Sequence, residues 1–247
     1  MLITFLQLAC MLLVIFVVTG LPQSPAAGQA NSPEEFDEYL AVLSKTTPKE
    51  VISAAGDFEK LWPRSQLLAQ VLELKLEAYR SLGDSVNAIL AGERALKAAP
   101  DNLLVLTNIA YIIASSSNDR QQLARAETYA RRELELSTKI RIPKRISLNE
   151  WDEMQSRQNS TAHATLGLVA YKRGDIARAI KEFETAVKLA PAPEPAHYYR
   201  LGVLYRASGN ESAAIEMLRR AVASNDATIR QLAERELQSP IRTHRSN

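Results

Sequence analysis

The chain has 247 residues and a formal net charge of only +2, because 30 Lys and Arg residues face 28 Asp and Glu residues. A charge this close to balance gives no general case for binding nucleic acid or an acidic membrane surface. The single cysteine, Cys10, lies in an apolar N-terminal segment, so the rest of the chain has no disulfide, thiolate nucleophile or cysteine metal site. Scarce glycine and abundant Ala and Leu favour an all-α fold.

The first 30 residues form an apolar segment followed by helix-breaking and small residues. Residues 2–18 are apolar except for Thr4 and Gln7. This order is typical of a secretory signal peptide, with cleavage near residues 27–30. The apolar run is also close to the roughly 20 residues that span a bilayer, so an uncleaved membrane anchor is the alternative. Both alternatives predict an exported chain, either periplasmic or anchored and facing the extracytoplasmic side.

Two segments in the C-terminal third of the chain align with each other without a gap. Their matching residues are separated by 35 positions each time: Leu166 and Leu201, Gly167 and Gly202, Gly174 and Gly209, Ala179 and Ala214, Ala186 and Ala221. The first glycine pair predicts close approach of two helices. Gly174-Asp175 and Gly209-Asn210 predict the end of one helix and the cap of the next.

This pattern resembles the tetratricopeptide repeat (TPR), a helical hairpin of about 34 residues that stacks into solenoids. A weaker copy runs over residues 72–100, with Leu76 and Gly92 where the family has Gly and a large apolar residue. Another begins at Asp101, and its turn at residues 115–120 is about four residues too long for the family pattern. The resemblance covers about two thirds of the chain and is strongest at its C-terminal end.

The resemblance implies an all-α, right-handed TPR α-solenoid of about four helical hairpins, with capping helices at both ends. Capping boxes predict further helix starts at Ser32, Thr47 and Ser147. The box at Ser147, followed by Trp151, predicts that the first helix of the third copy begins three to four turns early. The predicted divisions are 1–30 leader, 31–66 N-terminal caps, 67–138 first two copies, 139–160 connection and helix extension, 161–226 last two copies, 227–238 C-terminal cap and 239–247 disordered tail.

Motifs for catalysis are missing from the sequence. It contains no Gly-rich phosphate loop, no Gly-x-Ser-x-Gly turn and no His-Glu-x-x-His zinc motif. His163 and His197 fall in corresponding regions of adjacent copies, and packing on a helix face explains them without a metal. We therefore expect no enzyme activity, no cofactor and no metal.

In a TPR array the first helix of each hairpin lines the concave face, so the resemblance implies a partner-binding groove there. The inward positions predict these groove residues: Glu73, Glu77, Arg80, Tyr111, Tyr171, Lys172, Tyr199 and Arg206. Some family members clamp a terminal carboxylate with Lys and Asn residues on this face. Glu73 and Glu77 stand where that clamp needs Lys and Asn, so the sequence excludes this mode.

The function expected from these observations is a scaffold of the cell envelope that binds a segment of a partner protein in the concave groove. The expected partners are other proteins. Nucleic acid is not expected, and the membrane is expected only at the N-terminal segment. The alternative is a self-assembling structural subunit of an envelope complex.

Overall fold

A computed structural model describes residues 30–140, 142, 146–190 and 192–239, and within these ranges the chain forms eleven helices and no strand. The expectation of an all-α fold is therefore confirmed. None of the helices in these ranges combines the length and the apolar character needed to cross a membrane. The predictions for the leader and for nearly all of the tail fall on residues 1–29 and 240–247, which lie outside the described ranges.

The helices pair into four antiparallel hairpins, with two helices before them and one after. The bounds are α1 Pro33–Leu43, α2 Pro48–Leu61, α3 Leu68–Ser81, α4 Ser85–Ala98, α5 Leu103–Ser116, α6 Arg120–Ser137, α7 Leu148–Lys172, α8 Ile176–Leu189, α9 Pro195–Ala207, α10 Glu211–Val222 and α11 Ala227–Gln238. The hairpins are α3–α4, α5–α6, α7–α8 and α9–α10, and each packs against the next. The buried residues form a row of clusters along this stack.

Three of the four hairpins turn on a glycine with left-handed backbone dihedrals. The φ angles are +74° at Gly83, +81° at Gly174 and +84° at Gly209. A side chain at such a φ costs about 1 kcal/mol or more, so glycine is required there. The next residue in each hairpin caps the second helix by accepting a hydrogen bond from a backbone N–H: Asp84, Asp175 and Asn210.

The second hairpin does not have the long turn predicted from its sequence. Only residues 117–119 join α5 to α6, the same number that joins α3 to α4. The extra residues instead lengthen the end of α5 and the start of α6, because each residue added to a helix gains a backbone hydrogen bond. Ser117 ends α5 in an extended conformation with a φ of −115°, so this turn needs no glycine.

Two of the three predicted capping boxes form. Thr47 and Ser147 each exchange both hydrogen bonds with the residue three positions later. Ser32 does cap α1, since its hydroxyl accepts from the Glu35 N–H at 3.1 Å, but the reciprocal bond differs. The Glu35 carboxylate is buried and accepts from the Asn31 N–H at 2.6 Å instead. Helix α1 thus begins where predicted, but the Glu35 carboxylate accepts its hydrogen bond from the N–H one residue before the predicted donor.

Helix α7 has 25 residues, whereas α3 has 14, and the difference is the predicted N-terminal extension. Trp151 in this extension is 3% exposed, so the extension packs against the rest of the described chain. The Gln155 side-chain amide donates to the Ser137 carbonyl oxygen at 2.8 Å. The Ser160 hydroxyl donates to the Ala186 carbonyl oxygen, also at 2.8 Å. The extension therefore joins the end of α6 to the end of α8.

Close helix approach in the last two hairpins depends on the predicted glycines. A Cβ atom on Gly167 would lie 2.7 Å from the Phe183 ring, and one on Gly202 would lie 2.7 Å from Leu218 Cγ. Real Cβ contacts essentially never come this close, so the large residue of the second helix occupies the space that glycine leaves on the first.

In the first hairpin the helices also cross closely, but the large residue lies on the first helix and the glycine on the second. Leu76 on α3 is fully buried, and a Cβ on Gly92 of α4 would lie 2.7 Å from Leu76 Cδ1 and 2.2 Å from Ile109 Cγ2 on α5. Leu76 and Ile109 of the next hairpin therefore share the space that Gly92 leaves.

Candidate partner-binding face

The first helices of the hairpins lie side by side, and polar side chains connect them. The Asn102 amide donates to Glu73 at 2.8 Å and the Asn108 amide donates to Glu77 at 2.6 Å, which joins α5 to α3. The Arg200 guanidinium on α9 lies 3.4 Å from the Tyr111 hydroxyl on α5, across 89 positions of sequence. We call the surface formed by α3, α5, the C-terminal half of α7, and α9 the inner face.

Two carboxyl groups, those of Glu73 and Glu77, lie at the N-terminal end of the inner face. Burial raises the pKa of Glu73 to about 7, the hydrogen bond from Asn102 opposes that rise, and the nearby Glu77 carboxylate adds to it. Glu77 also pairs with Arg80 at 2.7 Å, and Arg80 is largely exposed. Of the predicted groove residues, these three thus lie together on α3.

Tyr171 and Lys172 end helix α7 with very different surroundings. Tyr171 is 48% exposed, so much of this large side chain is open to solvent. The Lys172 ammonium donates to the Ser115 carbonyl oxygen at 3.1 Å and to the Ser117 carbonyl oxygen at 2.7 Å. These carbonyls lie at the end of α5, so Lys172 stabilises the C-terminus of that helix.

Arg206 does not present a free charge. Its side chain is 10% exposed and pairs with Glu211 at 2.7 Å and Glu236 at 3.4 Å. It also donates to the Glu236 backbone carbonyl, which holds α11 against α9. Tyr199 is partly buried beside the same closing helix, in the cluster that contains Ala233. The structure thus shows that Arg206 stabilises the packing of α11 on α9 through contacts within the chain.

Sequence reasoning missed Arg200, which lies one residue after Tyr199. Arg200 is half-buried, and it forms no ion pair with any carboxylate in the part of the chain that the structure describes. Burial, and then the Arg200 charge, lower the pKa of Lys172. The available signal was its repeat position, because Arg200 occupies in the fourth copy the position that Asn108 has in the second.

Residues 165–228 match the family model of the tetratricopeptide repeat. The last two hairpins therefore match the TPR pattern. No curated protein matches its sequence significantly.

Solved structures that resemble this chain share its fold at low sequence identity. MamA residues 41 to the end, from Desulfovibrio magneticus RS-1, has a TM-score of 0.58 and 15% identity, with 84% of this chain and 99% of that chain covered. PilW, a type IV pilus biogenesis factor, has a TM-score of 0.57 and 13% identity over 84% and 93%. The TPR protein TTC0263 from Thermus thermophilus has a TM-score of 0.54 and 16% identity over 83% and 95%. Identities this low support a common fold only.

One cavity of about 570 Å³ lies at the turn end of the second and third TPR hairpins. It is lined by Asn118, Arg120, Leu123, Ala124, Lys172 and Arg173. Lys172 therefore touches both this cavity and the end of α5. Arg173 is already paired with Glu127, so its charge is compensated within the chain.

An ion network joins the second and third TPR hairpins. Burial would raise the pKa of Glu127, but hydrogen bonds from Arg178, Arg131 and Arg173 outweigh burial and lower the pKa to about 2. Arg178 on α8 donates to Glu127 on α6 at 2.6 Å. The network therefore fixes one hairpin on the next.

The two predicted packing histidines differ in their surroundings. His163 Nδ1 lies 2.7 Å from a Glu182 oxygen. His197 is 2% exposed and faces the Phe183 ring, and burial together with Arg200 lowers the pKa of His197 to about 4. His197 is therefore neutral at pH 7. Within the described ranges, no group of three or more His, Cys, Asp or Glu residues could hold a metal ion.

Proposed function

We propose that this TPR protein is a scaffold, without a reaction of its own, that binds a segment of a partner protein on the inner face. The observation that carries the proposal is Tyr171, a large side chain 48% exposed at the end of α7. Tyr and Arg are favoured at the centres of protein interfaces, because they offer much contact area and directional polar groups. Tyr171 and Arg200 supply both residue types.

The charges of the inner face support a bound segment with a defined direction. Glu73 and Glu77 lie at the α3 end, whereas Lys172 and Arg200 lie at the α7 and α9 end. Opposite charges steer an encounter and fix its register. A segment that is acidic at the α9 end fits these charges, whereas at the α3 end the pairing of Glu77 with Arg80 and the raised pKa of Glu73 leave little net negative charge.

The proposed location is the cell envelope, with the chain either periplasmic or held by its N-terminal segment. The apolar run at residues 2–18 supports this location. PilW, a type IV pilus biogenesis factor, has the same fold, so a role in assembling other proteins is compatible with this architecture.

The test compares two exposed apolar side chains on different surfaces. Tyr171→Ala and Leu90→Ala remove groups that are 48% and 52% exposed, and neither should change stability by more than about 0.5 kcal/mol. Leu90 lies on α4, the second helix of its hairpin, so it serves as the matched control. The tagged full chain is used for affinity capture from the envelope fraction of its own host, with partners quantified by mass spectrometry. We expect Tyr171→Ala to lower the yield about tenfold or more and Leu90→Ala to leave it unchanged.

The opposite result, loss with Leu90→Ala and none with Tyr171→Ala, would move the binding surface to the second helices. Light scattering on the same protein tests the competing function, self-assembly, for which the purified chain would form oligomers without a partner. Recovery of the untagged chain in the cytosolic fraction would contradict the proposed location.

A further inference from the structure

One position on the second helix of each hairpin is alanine in three hairpins and acidic in the other. Ala95, Ala186 and Ala221 are fully buried at this position, and Glu133 of α6 is fully buried there too. Neither carboxyl oxygen of Glu133 has a hydrogen-bond partner among the described residues. A buried polar group without a partner is unfavourable, so Glu133 weakens the packing of α6 in a way that alanine does not.

Two contacts between α6 and the N-terminal extension of α7 lie on either side of Glu133. On one side, the Gln155 amide donates to the Ser137 carbonyl oxygen at 2.8 Å. On the other side, Ala130 and Ala162 belong to one buried cluster. The two helices therefore run antiparallel here, and Glu133 lies between the two contacts.

The part of α7 between the same two contacts is also polar. Gln158 is buried, and Asn159 Oδ1 is buried without a hydrogen-bond partner in the described structure. Ser137 on α6 is buried as well. We call these residues, with Glu133 and Gln155, the polar seam. It contains three buried oxygen atoms that lack a donor, two on Glu133 and one on Asn159.

The protonation state of Glu133 determines whether these oxygens can pair. A protonated carboxyl group has an O–H that can donate to an oxygen such as Asn159 Oδ1, whereas a carboxylate can only accept. Burial raises the pKa of Glu133 to about 8, so the folded chain holds the proton at pH 7. Ionisation would place an unpaired charge among buried acceptors, which disfavours the closed seam.

The charged groups on the helices around the seam do not compensate an ionised Glu133. Burial is the cause of its raised pKa, without a contribution from a charged group or from Tyr111 of α5 or Tyr129 of α6. Helix α5 carries no Asp, Glu, Lys or Arg. Side chains on α4, α6 and α7 form pairs of their own: Arg125 with Glu93, Arg132 with Asp101, Glu135 with Lys139, Arg157 with Glu153, and His163 with Glu182.

We propose that the seam between α6 and the N-terminal extension of α7 is a joint that is closed when Glu133 is protonated and opens when Glu133 is ionised. Opening releases residues 148–160 from α6 and exposes Trp151, which is buried in the closed joint. The C-terminal half of α7 stays in place, because Leu168 shares a buried cluster with Ile113 of α5. The joint responds to pH without a partner, so its test is independent of the proposed function.

The direction of the response follows from the raised pKa of Glu133. The closed joint is most stable below the ordinary pKa of about 4.5 and loses stability as the pH rises to about 8. Amide hydrogen exchange of the full chain, measured by mass spectrometry, compares wild type with Glu133→Gln at pH 5 and pH 8. Comparison at equal pH cancels the intrinsic pH dependence of exchange.

We expect the exchange rate of residues 148–160 in wild type, divided by the rate in Glu133→Gln, to rise about tenfold or more from pH 5 to pH 8. Residues 211–222 of the last hairpin should show no such rise. Glu133→Ala, which restores the residue of the other three hairpins, is a second variant and should give the same result.

Glu135→Gln is the matched control, since it removes a carboxylate that is 67% exposed on the same helix. It should show the same rise as wild type. A rate ratio for residues 148–160 that stays constant with pH would overturn the proposal. An equal rise in residues 148–160 and 211–222 would overturn it too, because the whole chain rather than the joint would then respond to pH.

Discussion

The first and third hairpins cross their helices in the same way with exchanged residues. In the third hairpin, Gly167 lies on the first helix and Phe183 on the second. In the first hairpin, Leu76 lies on the first helix and Gly92 on the second. In the third hairpin Phe183 fills the space beside the glycine, whereas in the first Leu76 shares that space with Ile109 of the next hairpin. Either helix of a hairpin can therefore carry the large residue of the crossing.

The second hairpin shows what happens when both residues are small. Ala110 and Ala130 occupy the two crossing positions and are fully buried. They belong to one cluster with Leu166, which comes from the first helix of the next hairpin. The neighbouring repeat thus supplies apolar volume that the hairpin itself lacks. A repeat in a solenoid is complete only together with its neighbour.

The largest expected effect comes from breaking the exchanged pair. Leu76→Gly should lower the free energy of unfolding by about 4 kcal/mol, because it leaves a cavity and places glycine within a helix. The double variant Leu76→Gly with Gly92→Leu should recover only part of that loss, because Ile109 of the next hairpin also occupies the space beside Gly92, with its Cγ2 2.2 Å from where a Cβ would lie. Urea denaturation of both variants measures the recovery.

The control for this pair is Gly92→Leu alone, which forces two large side chains into one crossing and should cost about 3 kcal/mol. Costs for the two single changes that simply add in the double variant would show that the residues do not compensate each other.

A second comparison sets the long helix α7 against the ordinary first helix α3. Trp151→Ala should lower the free energy of unfolding by about 3 kcal/mol, because this side chain in the extension is 3% exposed. Leu148→Ala on the same helix is the control, since Leu148 is 58% exposed and should cost about 0.5 kcal/mol or less. Similar small losses for both variants would mean that the extension adds no stability.

A smaller effect is expected at Glu133, which stands where the other three hairpins have Ala95, Ala186 and Ala221. Glu133 is fully buried, neither carboxyl oxygen has a hydrogen-bond partner within the described structure, and burial raises its pKa to about 8. A pKa raised by folding means that the folded state favours the protonated form. Wild-type stability should therefore fall as the pH rises from about 4.5 to about 8.

Glu133→Gln removes this titration. Relative to wild type, its free energy of unfolding should increase over the same pH range, by on the order of 2 kcal/mol at pH 8. Denaturant unfolding at several pH values measures the difference. Glu127→Gln should change stability with pH in the opposite direction. The folded-state pKa of Glu127 is lowered to about 2, so the stability that Glu127 contributes is present above pH 4.5 and is lost as the pH falls below that value. A difference between Glu133→Gln and wild type that does not depend on pH would contradict the assignment.

Local features of the fold could be predicted from the sequence because their physical causes lie within a few residues. Gly174 reverses the chain, Asp175 caps the next helix three residues away, and Ser147 exchanges bonds with Glu150. The 35-residue spacing also predicts the glycines at the crossings, because identical hairpins need identical gaps. The turn of the second hairpin was mispredicted because an insertion can lengthen either a loop or the helices beside it, and sequence spacing alone does not distinguish them.

The sequence by itself determined the helical hairpins and their caps, since these follow from periodicity and short-range hydrogen bonds. Only the tertiary structure decided which cations of the inner face are paired within the described chain. Arg206 meets Glu236, 30 residues away, and loses its free charge, whereas Arg200 meets Tyr111, 89 residues away, and keeps it. A charge is compensated by whatever lies within a few ångströms of it, and in a solenoid that neighbour comes from another repeat.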